Sequence, residues 1–247
     1  MNEIVNIAAY KFVALDDLPA RRETLREECR RLGLKGTILL AEEGINLFLA
    51  GTTEAIDAIL DLLRSDPAFA DLEPKVSYSA TQPFKRMWVK IKTATIPFGD
   101  NSWSVQTAQA RRISPREFKQ WLDEGRDVGV LDVRNTFEFA HGTFENAQAI
   151  GIDDFRAFPI AAEQLPEDMK RRPVVTFCTG GIRCEKAAPY LEQLGFEEVY
   201  QLDGGILKYF EECGGAHYRG TCFVFDERVA LDAALRAVPG AEASVSE

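Results

Sequence analysis

The chain has 247 residues, of which 46% are hydrophobic and 28% charged, as in a globular protein of one large or two modest domains. No apolar run approaches the ~20 residues of a membrane-spanning helix, and the N-terminus lacks a signal-peptide pattern, so we expect a cytoplasmic protein without membrane association.

The five cysteines contain no CxxC pair, which favours a reducing compartment. An iron site of two histidines and a carboxylate would need both histidines of the chain, so we predict no metal. The net charge of −10 argues weakly against a nucleic-acid partner.

Residues 1–80 predict a first domain with the element order β-α-β-β-α-β, which is the ferredoxin-like plan. Strands are predicted over 4–13, 37–41, 45–50 and 76–80, and the helices begin near Leu18 and after Thr52 or Thr53. This fold hosts many functions, and the strands lack the paired exposed aromatics of an RNA-recognition motif. An accessory domain and a substrate-recruiting domain both remain open.

Basic residues are concentrated in a predicted connector, residues 81–112, which holds six basic side chains and one acidic side chain. Cations here alternate with large apolar groups such as Phe84 and Trp88, so phosphates and unstacked bases can both find partners. The alternative is an ordinary strand with a solvated lysine face. The candidate nucleic-acid-binding residues are Lys85, Arg86, Lys90, Lys92, Arg111 and Arg112.

A second domain is predicted over residues 113–217, followed by a C-terminal extension over 218–247. Ser114 and Glu117 form a capping-box pattern with Pro115 at the first helical position. Apolar strands over 128–133, 149–152, 174–178 and 199–202 alternate with helices, which predicts a doubly wound parallel sheet. Ligands of such sheets bind at the carboxyl ends of the strands, where Cys178 falls.

The loop of Cys178, Thr179, Gly180, Gly181, Ile182 and Arg183 lies between a buried strand and a helix that ends at Gly195. In this position the N–H groups of the loop and of the first helical turn can point at one sulfur. The helix dipole and the Arg183 cation also favour the thiolate over the thiol. We therefore predict Cys178 as the catalytic residue and the rest of the loop as the group that stabilises its thiolate or an oxyanion.

The six-residue span from Cys178 to Arg183 resembles the active loop of rhodanese-type sulfurtransferases; related cysteine phosphatases carry one more residue. Asp132-Val133-Arg134, with Glu138 and Gly142, and Gly204-Gly205-Ile206 also resemble a rhodanese domain. One departure is that His141 precedes Gly142, whereas rhodaneses usually place histidine after that glycine. We expect a structural role for His141.

The run from Cys178 to Ala187, CTGGIRCEKA, and the run from Gly220 to Ala230, GTCFVFDERVA, resemble the rhodanese-domain tRNA uridine(34) hydroxylases, the TrhO family. A ferredoxin-like block joined to a rhodanese domain also matches that family. The resemblance implies oxygen-dependent formation of 5-hydroxyuridine at the wobble position, with the anticodon loop of tRNA as partner. It also implies molecular oxygen as co-substrate, with no further cofactor evident.

Two routes for the chemistry remain open from the sequence. The Cys178 thiolate can add to C6 of uracil and make C5 electron-rich, or Cys178 can itself carry the oxygen. A sulfurtransferase that forms a persulfide on Cys178 is the alternative function, since the same loop would serve it. Cys184 is either a resolving thiol or a buried structural one.

Overall fold

The computed structural model describes residues 3–101, 103 and 111–241, which form two compact units that divide after Ile96. Residues 102 and 104–110 of the predicted connector lie outside the described residues. Across the described ranges, every helix is too short or too polar to cross a bilayer.

The first unit is a sheet with the strand order β4-β1-β3-β2-β5, and it confirms the predicted ferredoxin-like plan. Neighbouring strands are antiparallel, except that β5 runs parallel to β2. The elements are β1 (Ile4–Phe12), α1 (Leu18–Arg31), β2 (Lys35–Ala41), β3 (Gly44–Gly51), α2 (Thr53–Ser65), β4 (Lys75–Ser79) and β5 (Met87–Ile91).

Buried apolar side chains alternate along β1, and the face of the sheet that they form is covered by the two helices. Val5, Ile7 and Ala9 are buried in the core that also takes in apolar residues of α1 and α2. The second helix begins where predicted, because the Thr52 side chain accepts a hydrogen bond from the Ala55 N–H at 3.3 Å.

Strand β5 lies within the segment interpreted as a basic connector. Met87 and Val89 pack against the core of the first unit, whereas Trp88 and Lys90 point away from it. For residues 87–91 the structure therefore shows the alternative interpretation, a strand with a solvated lysine face. Without β5, the backbone groups at the edge of β2 would be unpaired. Strand β5, whose apolar residues alternate, forms hydrogen bonds with them.

The second unit is built on a parallel sheet with the order β6-β11-β10-β7-β9, as the sequence predicts. Helix α3 packs with α7, and α5 packs with α6. The elements up to the end of the sheet are β6 (Arg111–Ile113), α3 (Pro115–Asp123), β7 (Gly129–Asp132), α4 (Thr136–His141), β8 (Gly142–Phe144), β9 (Gln148–Ala149), α5 (Phe158–Ala162), β10 (Val174–Phe177), α6 (Cys184–Gln193), β11 (Val199–Leu202) and α7 (Gly205–Cys213).

The first part of the C-terminal extension belongs to the core of the second unit. Its strands are β12 (Tyr218–Gly220), which pairs with β8, and β13 (Cys222–Phe223), which pairs with β14 (Ala230–Leu231). Cys222, Val224 and Leu231 are buried with residues of the parallel sheet. A short apolar strand at this point covers sheet surface that would otherwise face water.

Candidate active site

Cys178 lies directly after β10, a central strand of the parallel sheet, and α6 begins six residues later. The Gly181 N–H donates a hydrogen bond to the Cys178 sulfur at 3.1 Å. Only 1% of the Cys178 surface is exposed, and an added Cβ at Gly180 would meet open space. The loop therefore surrounds the sulfur with backbone donors and leaves free space beside Gly180.

The acidity of Cys178 results from donors that outweigh burial. Burial by itself raises the pKa of this thiol, but a hydrogen bond from Cys184, the charge of Arg183 and the N–H groups of Arg183 and Gly181 lower it to about 6. Burial, followed by the hydrogen bond to Cys178, raises the pKa of Cys184 well above its usual value. The lowered pKa of Cys178 and the raised pKa of Cys184 identify Cys178 as the sulfur that ionises and Cys184 as the thiol that donates to it.

The N-terminus of α7 holds the carbonyl groups of the loop. The N–H of Ile206 donates to the Cys178 carbonyl at 3.0 Å, and the N–H of Leu207 donates to the Thr179 carbonyl at 3.1 Å. Gly205 has a φ of +65°, and a Cβ there would stand 2.8 Å from the Thr179 carbonyl oxygen. The sequence pattern identified this glycine pair as a turn, but its role as an anchor for the loop is visible only in the structure.

A buried ion pair positions Arg183. Its guanidinium donates to both carboxylate oxygens of Glu138 at 2.5 and 2.7 Å, and the Thr179 hydroxyl donates to the same carboxylate at 3.3 Å. Burial raises the pKa of Glu138, but Arg183 and then Arg134 outweigh it, so the pKa is lowered overall. The Arg183 charge is therefore shared between Glu138 and the Cys178 sulfur, and its side chain has one fixed orientation.

A second buried ion pair supports the segment that carries Glu138. Arg134 donates to the two carboxylate oxygens of Asp132 at 2.9 and 2.6 Å and to the Gly142 carbonyl at 2.6 Å. The Thr143 hydroxyl donates to Asp132 at 2.9 Å. These bonds join the end of β7 to both ends of α4, and Glu138 lies in between.

The predicted tRNA-binding cations lie in both units. Lys85, Arg86, Lys90 and Lys92 are exposed side chains of the first unit. In the second unit, exposed Arg111 lies over the Tyr200 ring at 5.9 Å, and Arg112 pairs with Glu185 at 2.6 Å and with Asp203 at 3.1 Å.

Sequence reasoning missed the contribution of Cys222. This thiol is buried within hydrogen-bonding reach of Thr179, and burial is the main cause that raises its pKa to about 12. The GTCFVFDERVA motif signalled that the segment matters, but nothing in it predicts that Cys222 contacts Thr179 of the Cys178 loop.

His141, expected to be structural, lies at the end of α4 with its ring 5.3 Å from that of Phe223. Within the described ranges, no three His, Cys, Asp or Glu side chains are grouped so as to hold a metal ion.

Comparisons with known proteins divide the chain in the same way. Residues 4–95 match the family described as UPF0176 acylphosphatase like domain, and residues 114–212 match the rhodanese-like domain. Proteins named tRNA uridine(34) hydroxylase are similar over most of the chain. The Cupriavidus taiwanensis protein is 54% identical, over 94% of this chain and 84% of its own length. The Thiobacillus denitrificans protein is 53% identical over 96% and 98%, and the Bordetella petrii protein is 53% identical over 95% of each chain.

Proposed function

This chain belongs to the tRNA uridine(34) hydroxylase family, and we propose that it converts uridine 34 of tRNA to 5-hydroxyuridine with Cys178 as the nucleophile. The observation that carries the role of Cys178 is the convergence of the Gly181 N–H, at 3.1 Å, and the Arg183 cation on one buried sulfur, which together with the Cys184 thiol lower its pKa. Thiolates, not thiols, are the reactive form of cysteine. We also infer a cytoplasmic location, because tRNA is found there and all five cysteines are free thiols.

In the proposed reaction the Cys178 thiolate adds to C6 of uracil, and the electron pair of the C5–C6 double bond moves to C5 and the O4 enolate. C5 then attacks an electrophilic oxygen derived from molecular oxygen. Loss of the C5 proton and departure of the thiolate from C6 restore the ring. One oxygen atom enters the product, and a thiol reductant supplies the two electrons that convert the other to water.

The loop contributes to both ends of this reaction. The N–H groups of Gly181 and Arg183 stabilise the thiolate before it adds and after it departs. Arg183 is held by Glu138 and does not need to reorganise as charge moves off the sulfur. The same loop would stabilise a persulfide or a sulfur-bound oxygen, so an experiment must separate hydroxylation from sulfur transfer.

The exposed face of β5 supports a role in gripping tRNA. Trp88 is 47% exposed, and the Lys90 ammonium lies 4.7 Å from the centre of its ring. An exposed aromatic beside cations suits a nucleic acid, because bases stack on the ring while phosphates pair with the charges. Lys85, Arg86 and Lys92 add exposed charge on either side of the strand.

The proposal is tested by nucleoside mass spectrometry of tRNA from cells without the gene, complemented with wild type, Cys178→Ser or the control Cys213→Ser. Cys213 is half-buried at the end of α7 and has a raised pKa, with burial as the main cause. We expect 5-hydroxyuridine with wild type and control, and none with Cys178→Ser. Unmodified tRNA in the wild-type strain, together with thiosulfate-dependent cyanide turnover by the purified protein, would establish a sulfurtransferase instead.

The tRNA-gripping role is tested separately by filter binding at several salt concentrations. Lys90→Ala with Lys92→Ala should weaken binding and reduce the slope of log K against log salt by about 1 to 2. The matched control, Arg26→Ala with Arg30→Ala, removes two exposed cations from α1, which lies on the opposite face of the sheet. Equal losses in both double variants would contradict a role for this strand in particular.

A further inference from the structure

An aromatic cluster in the second unit has no part in the chemistry described so far. It consists of Phe137 and His141 on α4 together with Phe223 and Phe225 on the C-terminal extension. Phe223 is central: its ring lies 5.1 Å from Phe137, 5.1 Å from Phe225 and 5.3 Å from His141. We call these four residues the rim cluster.

One ring of the rim cluster faces solvent. Phe223 is buried at 8% exposure, whereas Phe225, two residues later, is 52% exposed. A single exposed apolar residue is ordinary on a protein surface. Phe225 differs because it rests edge to face on a buried ring, which gives it a fixed support and leaves part of its ring free.

The turn after Phe225 is rigid. Arg228 donates to the two carboxylate oxygens of Asp226 at 2.8 and 2.6 Å, and both side chains are less than a tenth exposed. The backbone closes the turn through Val224 N–H to Val229 carbonyl at 2.8 Å and Val229 N–H to Asp226 carbonyl at 3.0 Å. A side chain presented in this way loses little conformational entropy when it binds a partner.

The rim cluster is continuous with the Cys178 loop through Thr179. The Thr179 hydroxyl donates to Glu138, the neighbour of Phe137, and the Cys222 thiol, the neighbour of Phe223, is within hydrogen-bonding reach of the same threonine. Two separate segments, α4 and β13, therefore each place one residue against Thr179 of the loop and an adjacent residue in the rim cluster.

We propose that Phe225, supported by Phe223 and Phe137, stacks against an unpaired nucleobase of the anticodon loop that neighbours uridine 34. The inference rests on the proposed function and adds to it the means by which the enzyme orients its substrate. A nucleobase is about the size of one aromatic side chain, and it can stack on a single exposed ring because every base has a π-face. A second protein copy matches poorly, because a phenylalanine offers roughly 200 Å² at most, against the ~1,000 Å² of a stable interface.

The test compares Phe225→Leu with Phe225→Tyr, because leucine keeps apolar volume without a π-face and tyrosine keeps the ring. Ile160→Ala on α5 is the control, since Ile160 is a 72% exposed apolar residue of the same unit. We expect Phe225→Leu to raise the KM for tRNA about tenfold with kcat nearly unchanged. Phe225→Tyr should stay within about twofold of wild type, as should Ile160→Ala. Equal KM values for Phe225→Leu and Phe225→Tyr, or a loss in Phe225→Leu that falls on kcat with KM unchanged, would overturn the proposal.

A second readout does not depend on catalysis. An anticodon stem-loop RNA with 2-aminopurine next to position 34 should lose fluorescence on binding wild type and Phe225→Tyr, and lose much less on binding Phe225→Leu at saturating protein. Equal quenching by all three proteins would overturn the inference while leaving the proposed function intact. Absence of 5-hydroxyuridine with wild type would instead refute the function itself. A change of sedimentation coefficient confined to Phe225→Leu would assign the ring to a contact between protein copies and would also overturn the inference.

Discussion

Cys178 and Cys222 are both buried in the second unit, yet their surroundings shift their pKa values in opposite directions. The pKa of Cys178 is lowered to about 6 and that of Cys222 is raised to about 12. Burial raises both, so burial alone does not make a cysteine reactive. Cys178 accepts from two backbone N–H groups and a thiol and lies beside the Arg183 charge. The Cys222 thiol instead donates to the Phe223 carbonyl at 3.7 Å, and the Arg134 charge and Thr179 do not outweigh its burial.

The chain path explains this difference. Cys178 follows the end of a parallel strand, where the backbone curls into the N-terminus of α6 and its N–H groups have no strand partner. Cys222 lies within β13, which pairs with β14. A thiol at a strand–loop–helix junction is therefore activated by the fold, and a thiol within a strand is not.

The largest expected contrast is the titration of the two thiols. The 240 nm absorbance of wild type minus Cys178→Ser should show a step with its midpoint at about pH 6. Wild type minus Cys222→Ser should show no step between about pH 5 and 9, because burial keeps the pKa of Cys222 at about 12. A Cys178 midpoint near the value of free cysteine, about 8.5, would contradict an activated thiolate.

The same titration has a consequence for stability. Because the folded pKa of Cys178 lies below that of the unfolded thiol, its thiolate stabilises the fold above about pH 8.5, and this contribution is lost as pH falls towards 6. Urea unfolding of wild type and Cys178→Ser across this window should show their difference shrinking as pH is lowered.

Removing the carboxylate that holds Arg183 should destabilise the second unit strongly. Glu138→Ala leaves the buried Arg183 cation without its partner, and we expect the free energy of unfolding to fall by about 3–5 kcal/mol. The matched control is Arg112→Ala, whose ion pairs are half exposed and should contribute about 1 kcal/mol or less. Equal losses on urea unfolding would show that Arg183 does not remain an uncompensated buried charge in Glu138→Ala.

The anchor at the start of α7 should be sensitive to a single methyl group. Gly205→Ala places a Cβ against the carbonyls of Cys178 and Thr179 at a left-handed φ, so we expect a loss of about 2 kcal/mol and a higher Cys178 midpoint. Gly180→Ala meets open space and should change stability by less than about 1 kcal/mol. Similar unfolding midpoints for the two variants would refute the anchoring role of Gly205.

The smallest effect is expected at Thr179, which follows Cys178 in the loop and contacts Glu138 and Cys222. Thr179→Val keeps the side-chain volume and removes one 3.3 Å hydrogen bond to Glu138, which should cost about 1 kcal/mol. The Cys178 midpoint should stay near its wild-type value, because the Thr179 hydroxyl is not among the donors to that sulfur. A shift of more than about one pH unit would show that Thr179 acts on the thiolate directly.

Local pattern sufficed wherever the relevant partners are close in the chain. Hydrophobic periodicity, glycines and helix caps within short stretches of sequence predict the order of strands and helices in both units. They also predict the parallel sheet and the position of Cys178 between a strand and a helix. The connector was harder, because alternating cations and apolar groups suit both a nucleic-acid contact and an edge strand. Only the free edge of β2 decides that residues 87–91 are a strand.

The sequence by itself determined the position of Cys178, its loop and the order of strands and helices in the two units, since these depend on local patterns of glycine, caps and apolar residues. The tertiary structure alone decided what surrounds the loop. Glu138 reaches Arg183 across 45 residues, α7 supplies donors to the loop carbonyls, and the C-terminal extension brings Cys222 to Thr179. Such contacts depend on how strands and helices pack, and no local spacing in the sequence encodes them.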